Sequence, residues 1–526
     1  MVQEQVSETK KCKMCWISFD ITSQDLEFYD KASPVIDWVK FSIPAPTLCP
    51  DCRRQRRMAC RNERNLYKRN CDATGKSMIS IYSPETKWIV YHQDEWWSDR
   101  WNALDYWKTM DFKRSFFAQF WELLEAVPKL SVVVMNAENS EYTNWWAWNK
   151  DSYMIFLSSN NEKCLYSRWI FDSKSLIDCS NVNKSENCYE LIKSAKCYNC
   201  QYSKYLEDCN DCYFSFNLKW CRYCINCENM ENQSYCVNNI QVTKDEFENA
   251  LKNLDFKAEA KKFKDKYLLQ STPNLNCDNC TWHDLKNSKN IIAWEDWSDA
   301  QDCKYVGYFM DMKDSYDINF QAYETSLVYE SIWFEKVNSS MWVFLSLWLS
   351  NVYYSQYCFN CSNLFWCVGL SNKEYCILNK QYSKEEYLEL LPKIIEHMMM
   401  QKEWWEFFPA SISPFGYNET VAMEYYPIER ADAMNRIADG KTVFNWLDYE
   451  SARPEVSKII PSSKLPQNIW DVPDDILNWA IECENTKKPF RIIKQELEFY
   501  REHNLPIPTL HPDERHLWRM QKFPKI

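Results

Sequence analysis

Four cysteines near the start of the chain have the spacing of metal ligands. Cys12 and Cys15 form one CxxC pair, and Cys49 and Cys52 form a second pair after a spacer of 33 residues. Four thiolates on two such turns match the closed tetrahedral site that structural zinc prefers, and they leave no coordination position for a substrate. The spacing therefore predicts that these four residues bind Zn2+ in a structural role.

Two further segments repeat this pattern with fewer sulfur ligands. The C-terminal copy is identified by "PFRIIKQELEFY" at 489–500, which matches "SFDITSQDLEFY" at 18–29. The middle copy is a weaker repeat and includes "CDATGK" at 71–76. Both copies have CxxT and HxxE where the first copy has its two CxxC pairs. The corresponding positions are Cys71, Thr74, His92 and Glu95 in the middle copy, and Cys483, Thr486, His511 and Glu514 in the C-terminal copy.

These two variants have two interpretations. In the first, a thiolate, an imidazole and a carboxylate hold a weaker metal site in each copy. In the second, hydrogen bonds keep the turn after the metal has been lost. Threonine is a poor fourth ligand, so the metal-free interpretation is favoured.

The chain has an unusual balance of tryptophan and glycine. It contains 26 Trp and 5 Gly, where an average composition of this length gives about 37 glycines. Trp16 directly follows Cys15, at a turn position that usually requires glycine, and Gly75 stands at the matching position of the middle copy. We hypothesise that many of these tryptophans are UGA codons that the organism reads as glycine; the alternative is a truly Trp-rich protein. Further candidates are Trp107, Trp220, Trp282, Trp297, Trp366, Trp405 and the three in "TNWWAWNKDS".

A 12-residue period runs through the cysteines of the middle of the chain. One series is Cys188, Cys200, Cys212, Cys224 and Cys236, and a second, with the same step, is Cys197, Cys209 and Cys221. A short fixed period with polar residues between small apolar ones is typical of a β-solenoid, either as one narrow coil or as half of a wider one. These thiols are either metal ligands or compact core residues, and the strict period favours the core role.

The solenoid is expected to occur in two duplicated halves. "NQSYCVNNIQVTKDEF" at 232–247 matches "NKEYCILNKQYSKEEY" at 372–387, and each copy ends in a capping box that opens an amphipathic helix. The predicted fold is therefore mainly β: a Cys-rich β-solenoid with flanking helices and zinc-ribbon-like modules at both ends. The expected domains are 1–60 (zinc ribbon, with a basic helix to 70), 71–130 (degenerate ribbon and helical segment), 131–242 (first solenoid block), 243–272 (helix), 273–382 (second solenoid block), 383–402 (helix), 403–478 (linker or extended segment) and 479–526 (degenerate ribbon).

A basic stretch, "CRRQRRMACRNERNLYKR" at 52–69, follows the first ribbon. At helical spacing its cations share one face, an arrangement that can follow nucleic-acid phosphates. The alternative is a helix that pairs with acidic parts of the same protein. The residues on this face are Arg53, Arg57, Arg61, Arg64 and Lys68.

Several of these motifs carry a family resemblance. The first module resembles the bacterial "probable zinc-ribbon" family, through Cys12, Cys15, Phe19, Phe28, Tyr29, Cys49, Cys52 and Arg53. Nearly the whole chain resembles uncharacterised proteins of candidate-phyla bacteria, through motifs such as "RNERNLYKR", "IYSPET" and "SISPFGYNET". Some of these relatives carry a CaiB/BaiF CoA-transferase label, which the periodic Cys pattern of this chain does not support. The resemblance implies an N-terminal zinc ribbon.

The remaining sequence features favour a binding protein over an enzyme. No GxSxG, P-loop or dinucleotide motif is present among the 526 residues, and the net charge is −12. No secretory signal is visible and the longest apolar run, 341–349, is too short to span a membrane, so a cytoplasmic location is expected. We expect a zinc-binding scaffold whose partners are nucleic acid or protein; the alternatives are a pure protein-interaction solenoid and an enzyme of unknown reaction.

Overall fold

The computed structural model describes residues 5–267, 271–281, 285–293, 297–438, 441–449 and 455–521. Contacts divide the chain into two compact units, each built from two separate stretches. The first unit comprises residues 1–131 and 273–448, and the second comprises residues 132–272 and 449–525. Each unit contains one solenoid block.

The solenoid of the second unit is a narrow coil of 12 residues. Successive coils pair in parallel with an offset of 12, as in Cys212 with Cys224 and Cys224 with Cys236. Every third residue from 136 to 238 has a left-handed backbone, with φ between 47° and 68°. Each coil therefore has four corners, with three residues to a side. The predicted 12-residue solenoid is confirmed, and its coil is the narrow one.

The corners explain the polar residues between the cysteines. Asn and Asp tolerate a positive φ better than other non-glycine residues, and they occupy many corners. Their side chains also pair with the corner of the next coil. The Asn199 amide donates to Asp211 (2.5 Å), and Asn217 donates to Asn229 (2.8 Å).

One residue on each three-residue side faces the interior, so four side chains fill each layer. In one layer these are Cys212, Ser215, Leu218 and Cys221, and all four are fully buried. The Ser215 hydroxyl donates to the carbonyl two residues earlier (2.9 Å), and the Cys212 thiol does the same (3.3 Å). Thiols and hydroxyls fit here because both groups are small and both donate a hydrogen bond to a backbone carbonyl.

Helices and the C-terminal segment cover the outside of this solenoid. Tyr189 and Tyr202 belong to one apolar cluster with Tyr500 and with the helix residue Phe263. Asp178, at a buried corner, accepts ion-pair hydrogen bonds from Arg515 and Arg519. The C-terminal module is thus part of the core of the second unit.

The strands of the second unit are Val134–Met135, Trp146–Ala147, Arg168–Phe171, Lys174–Ile177, Ser180–Asn183, Glu186–Ala195, Gln201–Glu207, Asn210–Tyr213, Phe216–Lys219, Arg222–Ile225, Glu228–Glu231, Ser234–Val237, Ile240–Gln241, Lys458–Pro461, Trp479–Glu482 and Pro489–Phe490. Its α-helices are Lys244–Lys252, Phe256–Tyr267, Lys494–Glu502 and Pro512–Gln521, and its short 3-10 helices are Ser462–Lys464, Ile469–Asp471 and Asp474–Asn478.

The solenoid of the first unit has a less regular coil. Its first strands pair with an offset of 11 (Asp278 with Lys289), and its later strands pair with an offset of 12 (Val352 with Leu364). Both solenoids end in a short antiparallel hairpin followed by a helix. The predicted capping boxes are confirmed at both helices, where Thr243 pairs with Glu246 and Ser383 pairs with Glu386.

The N-terminal module packs on the outer face of the solenoid of the first unit. Phe28 stacks on Tyr316 with ring centroids 3.8 Å apart, and Lys304 pairs with the buried Asp25 (2.9 Å). The basic helix covers only Pro50–Met58 and does not extend to residue 70; a β-hairpin begins at Tyr67.

The segment 403–478, expected to be a linker or an extended segment, contributes buried side chains to both units. Phe408 and Tyr417 are buried within the first unit. The strand Lys458–Pro461 pairs in parallel with Trp479–Glu482 within the second unit. The apolar side chains of this segment therefore belong to the cores of the units.

The strands of the first unit are Val6–Lys11, Ser18–Thr22, Val35–Ile36, Val39–Lys40, Tyr67–Asn70, Ser77–Ser80, Val90–Tyr91, Lys129–Leu130, Asp278–Cys280, Leu285–Lys286, Lys289–Ala293, Trp297–Met341, Phe344–Tyr353, Phe359–Phe365, Glu374–Ile377, Lys380–Gln381, Ile437–Ala438 and Lys441–Thr442. Its helices are Ser23–Ala32, Pro50–Met58, Gln93–Trp96, Phe116–Ala126, Lys384–Met400, Ala422–Tyr425 and Arg430–Asn435, with short 3-10 helices at Ala103–Tyr106, Ala410–Ile412 and Tyr417–Glu419.

Candidate metal centre

The four N-terminal cysteines converge. The Sγ atoms of Cys12, Cys15, Cys49 and Cys52 all lie within 4.8 Å of one another, and those of Cys15 and Cys49 are 3.6 Å apart. A tetrahedral zinc ion with Zn–S bonds of about 2.3 Å requires S···S separations of about 3.8 Å. The cluster therefore has the composition and the size of a four-cysteine metal site.

Two turns position these thiols. The first lies between the strands Val6–Lys11 and Ser18–Thr22, and the amide of Trp16 closes it by donating to the Cys12 carbonyl (3.0 Å). In the second turn, Cys49 is the N-cap of the helix Pro50–Met58, and Cys52 lies in its first turn. The amide of Lys13 donates to the Thr47 carbonyl (3.1 Å) and joins the two turns.

Hydrogen bonding between the two thiols of the second turn separates their pKa values. A hydrogen bond from the Cys52 thiol lowers the pKa of Cys49 to about 5, and the same bond raises the pKa of Cys52. Burial raises the pKa of Cys15. Because a thiolate is the form that binds metal, the lowered pKa of Cys49 favours metal binding at this cluster.

The middle copy keeps the turn but does not assemble ligands. The Cys71 sulfur accepts the amide of His92 (3.3 Å); burial raises the pKa of this thiol, but hydrogen bonds from Thr74 and nearby amides outweigh burial and lower it. The His92 Nδ1 accepts the amide of Asp94 (3.2 Å), and Glu95 forms an ion pair with Arg100.

The C-terminal copy repeats this arrangement. The amide of His511 donates to the Cys483 sulfur (3.3 Å), and the His511 Nδ1 accepts the amide of Asp513 (3.1 Å). Glu514 lies at the start of the helix Pro512–Gln521. Among the described residues, which include both copies and most solenoid thiols, the N-terminal cysteines alone bring three or more metal-ligating atoms together. The hydrogen-bonded interpretation fits both variant copies.

Three of the five residues of the basic face predicted to contact nucleic acid lie inside the protein. The side chains of Arg53, Arg57 and Arg61 are between 0% and 2% exposed. Arg53 and Arg57 pair with Asp317 at 2.8 Å and 3.2 Å. Arg61 pairs with Glu63 (2.6 Å). The alternative interpretation, a helix that pairs with acidic parts of the same protein, fits these three arginines.

Two other members of the basic face lie closer to the surface. Arg64 is partly buried, and Lys68 is exposed on the strand Tyr67–Asn70. The sequence signal that was missed is the acidic pair Asp317 and Glu330, which are 13 residues apart. The Val328 amide donates to the Ser315 hydroxyl (3.3 Å) at the same offset.

A left-handed residue follows the first CxxC pair and each of the two CxxT motifs. The φ angles are 64° at Trp16, 71° at Gly75 and 59° at Lys487. The Trp16 side chain is 72% exposed and contributes nothing to the core. Trp366, at a solenoid corner with φ of 59°, has its ring centroid 3.2 Å from that of Phe116, well inside the range of about 4.5–7 Å for aromatic pairs.

Comparison with known proteins adds little to this geometry. No protein-family model and no curated protein matches the chain. One solved structure, described as a putative acetyltransferase from Desulfovibrio desulfuricans G20, is similar over 43% of this chain and 62% of its own, with 7% identity and a TM-score of 0.09. Within the described part of the chain, no helix has the length and apolar character needed to cross a membrane.

Proposed function

We propose that the protein is a non-enzymatic zinc-binding scaffold. In this proposal the metal fastens the N-terminal zinc ribbon onto the second solenoid block (273–382), which belongs to the first unit. The observation that carries this proposal is the helix Pro50–Met58. It holds two cluster thiols at its start, Cys49 and Cys52, and within the next turn it holds Arg53 and Arg57, which enter the solenoid.

The arginines make the orientation of this helix important. Arg53 and Arg57 share Asp317, and Arg56 binds Glu330 through both carboxylate oxygens (2.8 Å and 3.0 Å). Buried ion pairs of this kind stabilise a fold only when every charge meets its partner, because an unpaired buried charge is strongly unfavourable. A small rotation of the helix would leave these charges unpaired.

Zinc, when bound, supplies fixed tetrahedral bonds to the two turns and no chemistry at an open position. The thiols of Cys12 and Cys15 hold the hairpin, and those of Cys49 and Cys52 hold the start of the helix. The metal site therefore fixes the direction in which the arginine side chains enter the solenoid. Its role is structural, and its loss should loosen the N-terminal module.

The solenoids supply the binding surface of the scaffold. An exposed row on the second unit alternates in charge along successive coils, with Lys150 near Glu138 (3.6 Å) and Lys174 near Glu162 (3.5 Å). Such a row is a repeated polar surface, which suits a protein partner. The net charge of −12 and the burial of the arginine face both weigh against nucleic acid as the main partner.

Metal analysis of the purified protein tests the zinc proposal. We expect about one zinc per chain, and we expect Cys49→Ser to lose the ion while the matched variants Cys60→Ser and Cys71→Ser retain it. Chelation should lower the midpoint of thermal unfolding of the wild-type protein. Wild-type protein without zinc, or with a midpoint insensitive to chelation, would refute the structural role.

A pull-down with and without nuclease tests the partner class. Partners retained after nuclease treatment would support a protein scaffold. Recovery of nucleic acid in the eluate, with loss of the protein partners after nuclease, would contradict it.

A further inference from the structure

A cleft in the first unit, remote in sequence from the metal cluster, brings together two of the motifs quoted above. It is lined by residues of "IYSPET" (81–86) and of "SISPFGYNET" (411–420), with Trp121 and the segment 445–447 on its other sides. Its volume is about 320 Å³, which is the size of a site for a small molecule.

The polar part of the cleft is a fixed carboxyl group. The Oε1 of Glu419 accepts the Tyr67 hydroxyl (2.8 Å), and its Oε2 accepts the amide of Gly416 (2.7 Å). Burial raises the pKa of this carboxyl to about 7. A positively charged partner in the cleft would favour its ionised form.

The backbone around this carboxyl is rigid. Asn418 forms two hydrogen bonds with Leu447, donating to its carbonyl (2.8 Å) and accepting its amide (3.0 Å). Gly416 packs so closely on this segment that a Cβ would lie 2.3 Å from the Leu447 nitrogen. The position of Glu419 is therefore set by packing that a side chain at 416 would disrupt.

The aromatic rings of the cleft already lie against lysine amino groups of the protein itself. Trp88 and Trp121 meet edge to face, with centroids 5.2 Å apart. The Nζ of Lys87 lies 4.9 Å from the Trp121 ring centre, and the Nζ of Lys129 lies 5.1 Å from that of Trp88. The Lys87 side chain is largely exposed and pairs with Glu125, so a ligand can displace it.

We propose that this cleft binds a small alkylammonium cation. The ammonium group would be held by the Glu419 carboxylate and by the face of Trp121, where it would take the place of the Lys87 Nζ. Two of the three ionisable side chains that line the cleft are carboxyl groups, Glu85 and Glu419, and a bound cation would favour the ionised form of Glu419. The alkyl part would lie against Trp88 and Phe415.

Calorimetric titration of the zinc-loaded full chain with n-butylammonium chloride tests this proposal, with sodium butyrate at equal ionic strength as the anionic control. We expect a dissociation constant of about 1 mM for the amine and no saturable binding of butyrate.

Three variants assign the binding to the cleft. Glu419→Gln can still accept the Gly416 amide through its oxygen and can donate to the Tyr67 hydroxyl through its NH2 group. This variant and Trp121→Leu should each weaken the amine at least about fivefold, whereas Lys87→Met should not weaken it. The matched control Glu389→Gln, at an exposed helical position, should bind as wild type. Zinc content and circular dichroism establish that each variant is folded. The proposal would be overturned if n-butylammonium showed no saturable binding up to about 20 mM. It would also be overturned if wild type and Glu419→Gln bound the amine with equal dissociation constants.

Discussion

Arg57 is a fully buried cation that lies between two carboxylates. Its Nη2 is 3.2 Å from Asp317 and its Nη1 is 3.4 Å from Glu330. Arg57→Leu would remove one of the three buried arginines that bind these two acids, together with the hydrogen bond that Arg57 donates to Asn319 (2.7 Å). We expect a loss of about 2–4 kcal/mol in the free energy of unfolding, measured by urea denaturation, because the site is closed to solvent.

The matched control for this variant is Arg430→Leu. Arg430 pairs with Asp448 at 2.8 Å, but both side chains are well exposed. Its removal should change stability by less than about 1 kcal/mol. Equal effects of the two substitutions would show that the buried pairs do not hold the helix.

Glu419 makes stability depend on pH. Burial raises its pKa from 4.5 to about 7 in the folded protein. A raised pKa means that the contribution of this carboxyl to stability is complete below pH 4.5 and is lost as the pH rises through 7. We expect the unfolding free energy of wild type to fall by about 3 kcal/mol over this range relative to Glu419→Gln. Urea denaturation at several pH values measures the unfolding free energy of both proteins. If the two free energies changed with pH in the same way, Glu419 would not be the group responsible.

Trp366 tests the recoding hypothesis without reference to the genome. Its ring overlaps Phe116, its indole nitrogen is buried with no hydrogen-bond partner among the described residues, and its φ suits glycine. Trp366→Gly should therefore leave stability unchanged or higher. The control is Trp96→Gly, since Trp96 is buried and donates to the Pro128 carbonyl; it should lose more than about 3 kcal/mol.

A similar loss in both glycine variants would argue that Trp366 is a genuine tryptophan. The codons give an independent answer, because UGG at Trp16, Trp107 and Trp366 would end the hypothesis. The solenoid corners themselves do not decide it, since Tyr, Lys and Leu also adopt a positive φ there.

At the scale of elements, the interior of a solenoid coil selects for size. Cys212 lies between Cys200 and Cys224 in one column and shares its layer with Ser215. Cys212→Ser should change the unfolding free energy by less than about 1.5 kcal/mol. Serine fits this interior because the Ser215 hydroxyl in the same layer donates to the carbonyl two residues earlier, as the Cys212 thiol does. Cys212→Phe should destabilise by more than about 3 kcal/mol. Urea denaturation measures both, and tolerance of phenylalanine would show a looser interior than described.

Sequence patterns predicted the solenoid coil and the helix starts, because their signals come from residues that are close together in the chain. The 12-residue spacing identified the coil, and Thr243 with Glu246 identified a helix start, because both depend on residues close in the chain. The four corners were not predicted, since a positive φ at every third position is not tied to one residue type. The basic stretch kept two interpretations because Asp317, the partner of Arg53, lies 264 residues away in the chain and no local pattern identifies it.

At the scale of the whole molecule, each unit is assembled from two separate stretches of chain. Tyr189 and Tyr202 of the stretch 132–272 share an apolar cluster with Tyr500 of the later stretch. We expect 132–272 expressed alone to aggregate, and the same segment joined by a flexible linker to 455–521 to be soluble and monomeric by size-exclusion chromatography. A soluble, cooperatively unfolding 132–272 fragment would show that the C-terminal cover is dispensable.

The order of the two units along the chain also has a consequence for synthesis on the ribosome. After residue 272 emerges, residues 273–448 of the other unit must be translated before the covering segment appears. At 5–20 residues per second, this interval lasts about 10–35 s. During that time the nascent first solenoid presents its tyrosine-rich face to the cell, which makes it a substrate for chaperones before the protein is complete.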